Sequence, residues 1–309
     1  MSKLSLLLAL VLIIVGAFVV LSNNEQGLQQ ERTVAASIAP LASLVQSVAG
    51  DKIEVVQILP AGSSPHTFSL AVSDKLKIEK AEAVFVIGHE LDDWAVEGLS
   101  EEKILYVDSG IELKEAEEHE EEHEDEDHEE ELEADHDHEG EDPHYWLSLT
   151  NAIIMVDNIE SQLSKLYPQD KDTFVANAQS LKSELETLRN DAVAKFSQLQ
   201  NKELVTFHNA FAYFADDLGL EVIASIEEFP GKEPTAAYLK SVGELIQEEN
   251  IKVLFKEPQL SDAVIKPLAE DYGAQVLTLD PIGGIDGRES YLSMMRYNID
   301  TIFSAFSGE

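Results

Sequence analysis

Phe174, Ala178, Leu181, Leu185, Leu188, Ala192, Phe196 and Leu199 recur every three or four residues, the spacing that lines one face of an α-helix. Pro168 precedes the run, and Asp170 or Asp172 is placed to cap the free amides of its first turn. The pattern predicts one connecting helix within residues 169–200, roughly 30 residues and about 45 Å long, with a single apolar stripe. The flanking segments are of another kind. From residue 33, strand-like runs (34–37, 53–59, 83–87, 104–107) alternate with helical stretches (41–49, 73–81, 94–99). The second half repeats the style, with strands at 203–207, 221–224, 251–255 and 275–279 and helices at 210–218, 235–249 and 262–272. The expectation is an α/β fold: two lobes with mainly parallel sheets flanked by helices, joined by one long rigid helix. The lobes fall at residues 33–168 and 201–309, and the helix between them reads as a strut rather than a two-strand hinge.

Residues 4–21 form an apolar run broken only by Ser5 and Gly16. Eighteen residues exceed the core of an ordinary signal peptide and approach the ~20 needed to span a bilayer. Residues 1–32 are therefore read as a signal peptide or N-terminal membrane anchor plus polar tether, with the uncleaved anchor preferred. Lys3 before the run, and no basic residue closely after it, place the body outside the cytoplasm.

The chain has no cysteine, which excludes disulfides, thiolate metal sites, a catalytic thiol and a lipid-modified cysteine anchor. Its net charge of −39 argues against nucleic acid or an anionic membrane surface as partner. Much of that charge lies in residues 112–142, where 20 of 31 residues are acidic and five are histidine. Such a tract is expected to be a disordered, solvated loop.

Five of the nine histidines lie in the tract; the others are His66, His89, His144 and His208. His66 and His144 each follow a proline near an element boundary, and His208 ends a predicted strand. Asp280 also ends a strand, before Pro281 and Gly283-Gly284. Open α/β sheets bind ligands beyond the carboxyl ends of their strands, so these four residues, two in each half, are candidate metal ligands. Taken singly, each also reads as an ordinary turn or core residue. His89 lies at a strand end too, and the residues alone leave it open.

The strings "SSPHTFSL", "DPHYWLSL", "TFHNAFAYFA", "KEPTAAYL", "FKEPQL" and "YGAQVLTLDPIGG" resemble, in this order, the solute-binding proteins of zinc and manganese ABC importers, the ZnuA type. The resemblance runs over residues 33–307. It implies two small α/β lobes joined by one long helix, with a metal ion in the cleft between them. It implies His66, His144, His208 and Asp280 as ligands, and no ligand at His89. Manganese-type members tend to carry a carboxylate at the position of His208.

Three imidazoles with one carboxylate suit tetrahedral Zn²⁺, whereas Mn²⁺ prefers more oxygen. One tight zinc site is therefore expected, with manganese or iron as the alternative cargo. Asp142, two residues before His144, is placed to orient its ring. His119, His123, His128, His136 and His138 are expected to capture zinc weakly within the tract, as in zinc-selective members of the family. The function implied is that of a monomeric extracytoplasmic protein handing Zn²⁺ to an ABC permease. A surface adhesin stabilised by metal is a rival reading. A zinc hydrolase is disfavoured, because the ligand set is closed and no H-E-x-x-H helix is present.

Overall fold

The computed structural model describes residues 32–116, 140–227 and 231–307. The apolar run at 4–21 and the five tract histidines lie outside them. No described helix is long and apolar enough to cross a membrane.

The first sheet holds β1 (Thr33–Ala36), β2 (Glu54–Gln57), β3 (Val84–Val86) and β4 (Ile104–Tyr106) in the order β2-β1-β3-β4. The second holds β5 (Glu203–Thr206), β6 (Glu221–Ser225), β7 (Val253–Lys256) and β8 (Gln275–Thr278) in the order β6-β5-β7-β8. Every pairing in both sheets is parallel. The two sheets thus share one winding, and each reverses direction beside its first strand, opening a crevice at the strands' carboxyl ends. Helices α1 (Ala39–Ala49) and α2 (Val72–Lys80) belong to the first sheet. Helices α5 (Ala212–Leu218), α6 (Ala236–Glu248) and α7 (Ile265–Tyr272) belong to the second.

Between the sheets lie α3 (Leu149–Leu166) and α4 (Lys171–Phe196). The predicted stripe of α4 is buried as expected from Phe174 to Phe196, and Leu199 is buried just beyond it. The helix is shorter than predicted, 26 residues. Its start is held back by a 3-10 turn at Pro168–Asp170, and Asp170 at the N-cap makes no side-chain capping bond. Nor is it a bare strut. It packs lengthwise on α3 and also touches α1, α5 and α8 (Tyr291–Ser307), so one apolar core runs from lobe to lobe.

Helices α3 and α8 were not predicted, although both carry the same spacing, as in the buried Ala152, Met155, Val156, Ile159 and Leu163. Ser148 caps α3, its hydroxyl accepting from the Asn151 amide at 3.0 Å. The helix expected at 94–99 is only a 3-10 turn, Asp93–Ala95. Val96 closes it, Gly98 follows at φ +83°, and the buried Asp92 turns back to accept from the amides of Ile87 and Gly88. The last helix returns to the first lobe, where the Tyr291 amide donates to Ser43 Oγ at 2.9 Å.

Candidate metal centre

His66 lies on the loop after β2, His144 opens a 3-10 turn (His144–Leu147) ahead of α3, and His208 follows β5. Although 142 residues apart at the extremes, the three rings meet. His144 Nε2 lies 3.1 Å from His66 Nε2 and 3.3 Å from His208 Nε2. Among the described residues they form the one histidine-carboxylate group able to share an ion, their ligand atoms lying within 4.8 Å of one another. Tetrahedral coordination at about 2.0–2.1 Å places its nitrogens about 3.3–3.4 Å apart.

Two of the rings are oriented from behind. Asp142 Oδ1 accepts from His144 Nδ1 at 2.7 Å and from its backbone amide at 2.9 Å. Glu257 Oε1 accepts from His208 Nδ1 at 2.5 Å, and both side chains are buried. An ionised carboxylate only accepts, so it fixes the proton on Nδ1 and leaves the Nε2 lone pair bare. Two bare lone pairs 3.3 Å apart repel unless a proton or a cation stands between them. This is chemistry that suits a divalent ion. The rings open on a cavity with room for little more than one water-sized guest, walled by Pro65, Trp146, Gln259, Pro281 and Ile282.

The electrostatics separate the histidines. Burial, and then the neighbouring His144 and His208, hold His66 well below the ordinary imidazole range. Burial also pulls His208 down, but the charge and hydrogen bond of Glu257, with Glu227 and Asp142 beyond, carry its net value up.

Asp142, expected from its spacing, is itself held in place. Its amide donates to Lys114 O at 2.8 Å, its carbonyl accepts from Tyr213 Oη at 2.9 Å, and Glu115 pairs with Glu141 beside it. Asp142→Asn keeps the shape but loses the charge that supports His144. It is expected to weaken zinc binding roughly 10- to 100-fold, read by competition against a chromophoric chelator. Unchanged affinity would show that Asp142 merely caps a turn.

Asp280 is not gathered with the imidazoles. Its Oδ1 accepts from Gln259 Nε2 (2.9 Å) and from the amides of Ile282 (3.1 Å) and Gly283 (2.9 Å). Its Oδ2 lies 3.3 Å from Arg288. His89 is placed apart, at φ +52°, with Nε2 3.1 Å from Asp108 and Nδ1 2.8 Å from Glu141. Glu257 was missed by the sequence reading. The signal lies in the sheet order, because β7 neighbours β5 and Glu257, directly after β7, meets His208, two residues beyond the end of β5.

Comparison with known proteins identifies the family. Residues 34–305 match the family model described as zinc-uptake complex component A, periplasmic. The chain is 30% identical over 282 residues to the zinc-binding protein AdcA of Streptococcus pyogenes serotype M3, covering 87% of this chain. It spans only 55% of that relative's length. The crystal structure of ZnuA superposes with a TM-score of 0.77 at 27% identity, covering 90% of this chain and 100% of the other. The laminin-binding protein Lmb of Streptococcus agalactiae, described as bifunctional with adhesin and metal-transporting activity, gives 0.76 at 26% identity, covering 89% and 99%. With nearly all of residues 33–307 matched, the chain belongs to the zinc-uptake complex component A family of solute-binding proteins.

Proposed function

We propose that this protein captures Zn²⁺ between its lobes and delivers it to an ABC-type permease. The observation that carries this reading is the convergence of three Nε2 atoms on one point, two of them backed by buried carboxylates. His66, His144 and His208 supply the nitrogen ligands, and Asp280 supplies the fourth when the ion draws it from Arg288. The family consists of metal-binding solute-binding proteins rather than enzymes. The body works outside the cytoplasm as a monomer, tethered by its N-terminal segment, and the histidine-rich tract feeds the tight site by weak capture. The nitrogen-rich set supports zinc over manganese. Metal analysis with competition titration tests this directly. One tight zinc equivalent, held more tightly than manganese, is expected, and a preference for manganese would overturn the cargo.

The same titration carries a pH signature. Ligation requires neutral imidazole, and His208, raised above the ordinary range, is the first of the shifted pair to take up a proton. Zinc affinity is expected to fall as pH drops through the His208 range, with His66 joining only at lower pH. In the metal-free protein the sign reverses. The raised His208 contributes stability that is present below its unfolded value and lost as pH rises through its folded one. Zinc affinity that stays flat down to about pH 5 would contradict this assignment.

A further inference from the structure

Asp280 and Arg288 form an unusual pair. Asp280 is fully buried, yet its Oδ2 has no hydrogen-bond partner. The nearest cation is Arg288 Nη1 at 3.3 Å, and that buried nitrogen also lacks a hydrogen-bond partner. Charges this close in a buried setting ordinarily settle into a short, directed, often bidentate contact. Here the carboxylate is pinned from its other oxygen by Gln259 and two backbone amides. The guanidinium is pinned by stacking 4.3 Å over the Tyr297 ring. Its backbone is folded back by a tight turn, in which the Gly284 amide donates to Arg288 O and the Arg288 amide donates to Ile285 O. Gly283 within that turn has φ +63°, and a Cβ there would stand 2.8 Å from Arg288 O, so the turn has little freedom to bring the arginine closer. Gln259, which bridges to Asp280, walls the imidazole cavity, and its own Oε1 is buried without a partner. Arg288, Asp280 and Gln259, linked in that order by contacts of 3.3 and 2.9 Å, thus each carry one buried polar atom without a hydrogen-bond partner, and the last of them walls the histidine cavity.

We propose that Arg288 is a specificity-determining residue: it competes with the metal ion for Asp280 and so sets the preference between nitrogen-seeking and oxygen-seeking ions. This rests on the three-histidine site proposed above. While Arg288 holds Asp280, the cavity offers three nitrogens, a set that zinc tolerates and manganese does not. An ion gains the carboxylate only by taking it from the guanidinium. The loose 3.3 Å contact makes the exchange feasible, yet the positive charge of Arg288 keeps it costly. The cost falls most heavily on Mn²⁺, which depends on oxygen ligands. Arg288 touches no ion itself and acts through Asp280.

The test measures Zn²⁺ and Mn²⁺ affinities of the full chain by competition titration, with the visible spectrum of bound Co²⁺ as a report on coordination. Arg288→Gln is expected to raise manganese affinity at least about tenfold relative to zinc and to weaken the Co²⁺ bands as coordination number rises. Arg288→Lys keeps the charge and should stay near wild type. The gain should vanish in Arg288→Gln/Asp280→Asn. An unchanged zinc-to-manganese ratio in Arg288→Gln, or a gain that survives in the double variant, overturns the proposal. Should the glutamine variant not fold, Asp280→Asn decides. Manganese affinity must then fall more than zinc affinity, and an equal fall overturns the proposal. His208→Ala run in parallel keeps the two readings apart, because tight zinc binding in that variant refutes the site itself and not the role of Arg288.

Discussion

His208→Ala is expected to weaken zinc binding by roughly 100-fold or more, the largest effect of any single substitution at the metal centre. Structural zinc sites bind with roughly 10–16 kcal/mol shared over their ligands, so one imidazole is worth about 3 kcal/mol. The loss goes beyond the ligand. Glu257 is only 2% exposed and would be left as a buried carboxylate facing a cavity, a state that costs more than the pair it replaces. The metal-free variant should therefore be less stable as well. Glu257→Gln provides the contrast, since its amide oxygen still accepts from Nδ1 while the buried charge is gone. It should weaken binding only about tenfold, in line with groups that support a ligand without touching the ion. Chelator competition on the two variants distinguishes these roles. An alanine variant within about threefold of wild type would remove His208 from the ligand set.

The contrast also shows what in this molecule can be read without coordinates. The stripe of α4 follows from apolar spacing, and the parallel strands from short apolar runs alternating with helical stretches, since strands such as β1, β3, β5 and β7 are buried at consecutive positions. His66 and His208 are legible at the level of position, because the loops beyond strand ends are where an α/β sheet presents its ligands, and His144 by the Pro143 at its element boundary. Direction is a different matter. His66, His89, His144 and Asp280 all sit at element boundaries, but only the fold decides where each side chain points. His89 takes a left-handed backbone conformation and turns to Asp108 and Glu141. Asp280 is turned by the amides of its own following loop. Glu257 and Arg288 reach the site through sheet order and a glycine turn, neither of which has a local signature in the string of residues. The spacing that assigns α3 and α8 is present in the sequence, at Ala152, Met155, Val156, Ile159 and Leu163 and at Met294, Met295, Ile299 and Ile302. The helix expected at 94–99 gave way to the demands of Asp92 and Gly98.

Trp146→Ala is expected to destabilise the metal-free protein by about 3–5 kcal/mol, as truncation of a fully buried aromatic generally does. Trp146 is 0% exposed and stands where the two lobes meet. Its Nε1 donates to Pro281 O at 2.8 Å, just beyond β8, and its own carbonyl accepts from Tyr291 Oη at 2.7 Å, at the start of α8. The first bond is lost with the ring, and the stranded Pro281 carbonyl adds about 1–3 kcal/mol if no water reaches it. The second bond is made by the backbone and survives, so the helix contact should persist while the strand-end contact fails. Trp146→Phe separates the terms, because most of the volume remains and only the N–H is removed. Its cost should be well under half that of alanine. The ring also faces His144, with centroids 5.2 Å apart, and walls the ion cavity, so zinc affinity should fall in the alanine variant as well. Because zinc binds only the folded state, saturating metal should raise Tm in every variant that keeps the three imidazoles. Urea midpoints with and without zinc measure both effects. If Trp146→Ala unfolds at the wild-type midpoint, the contact between Trp146 and Pro281 does not hold the lobes together.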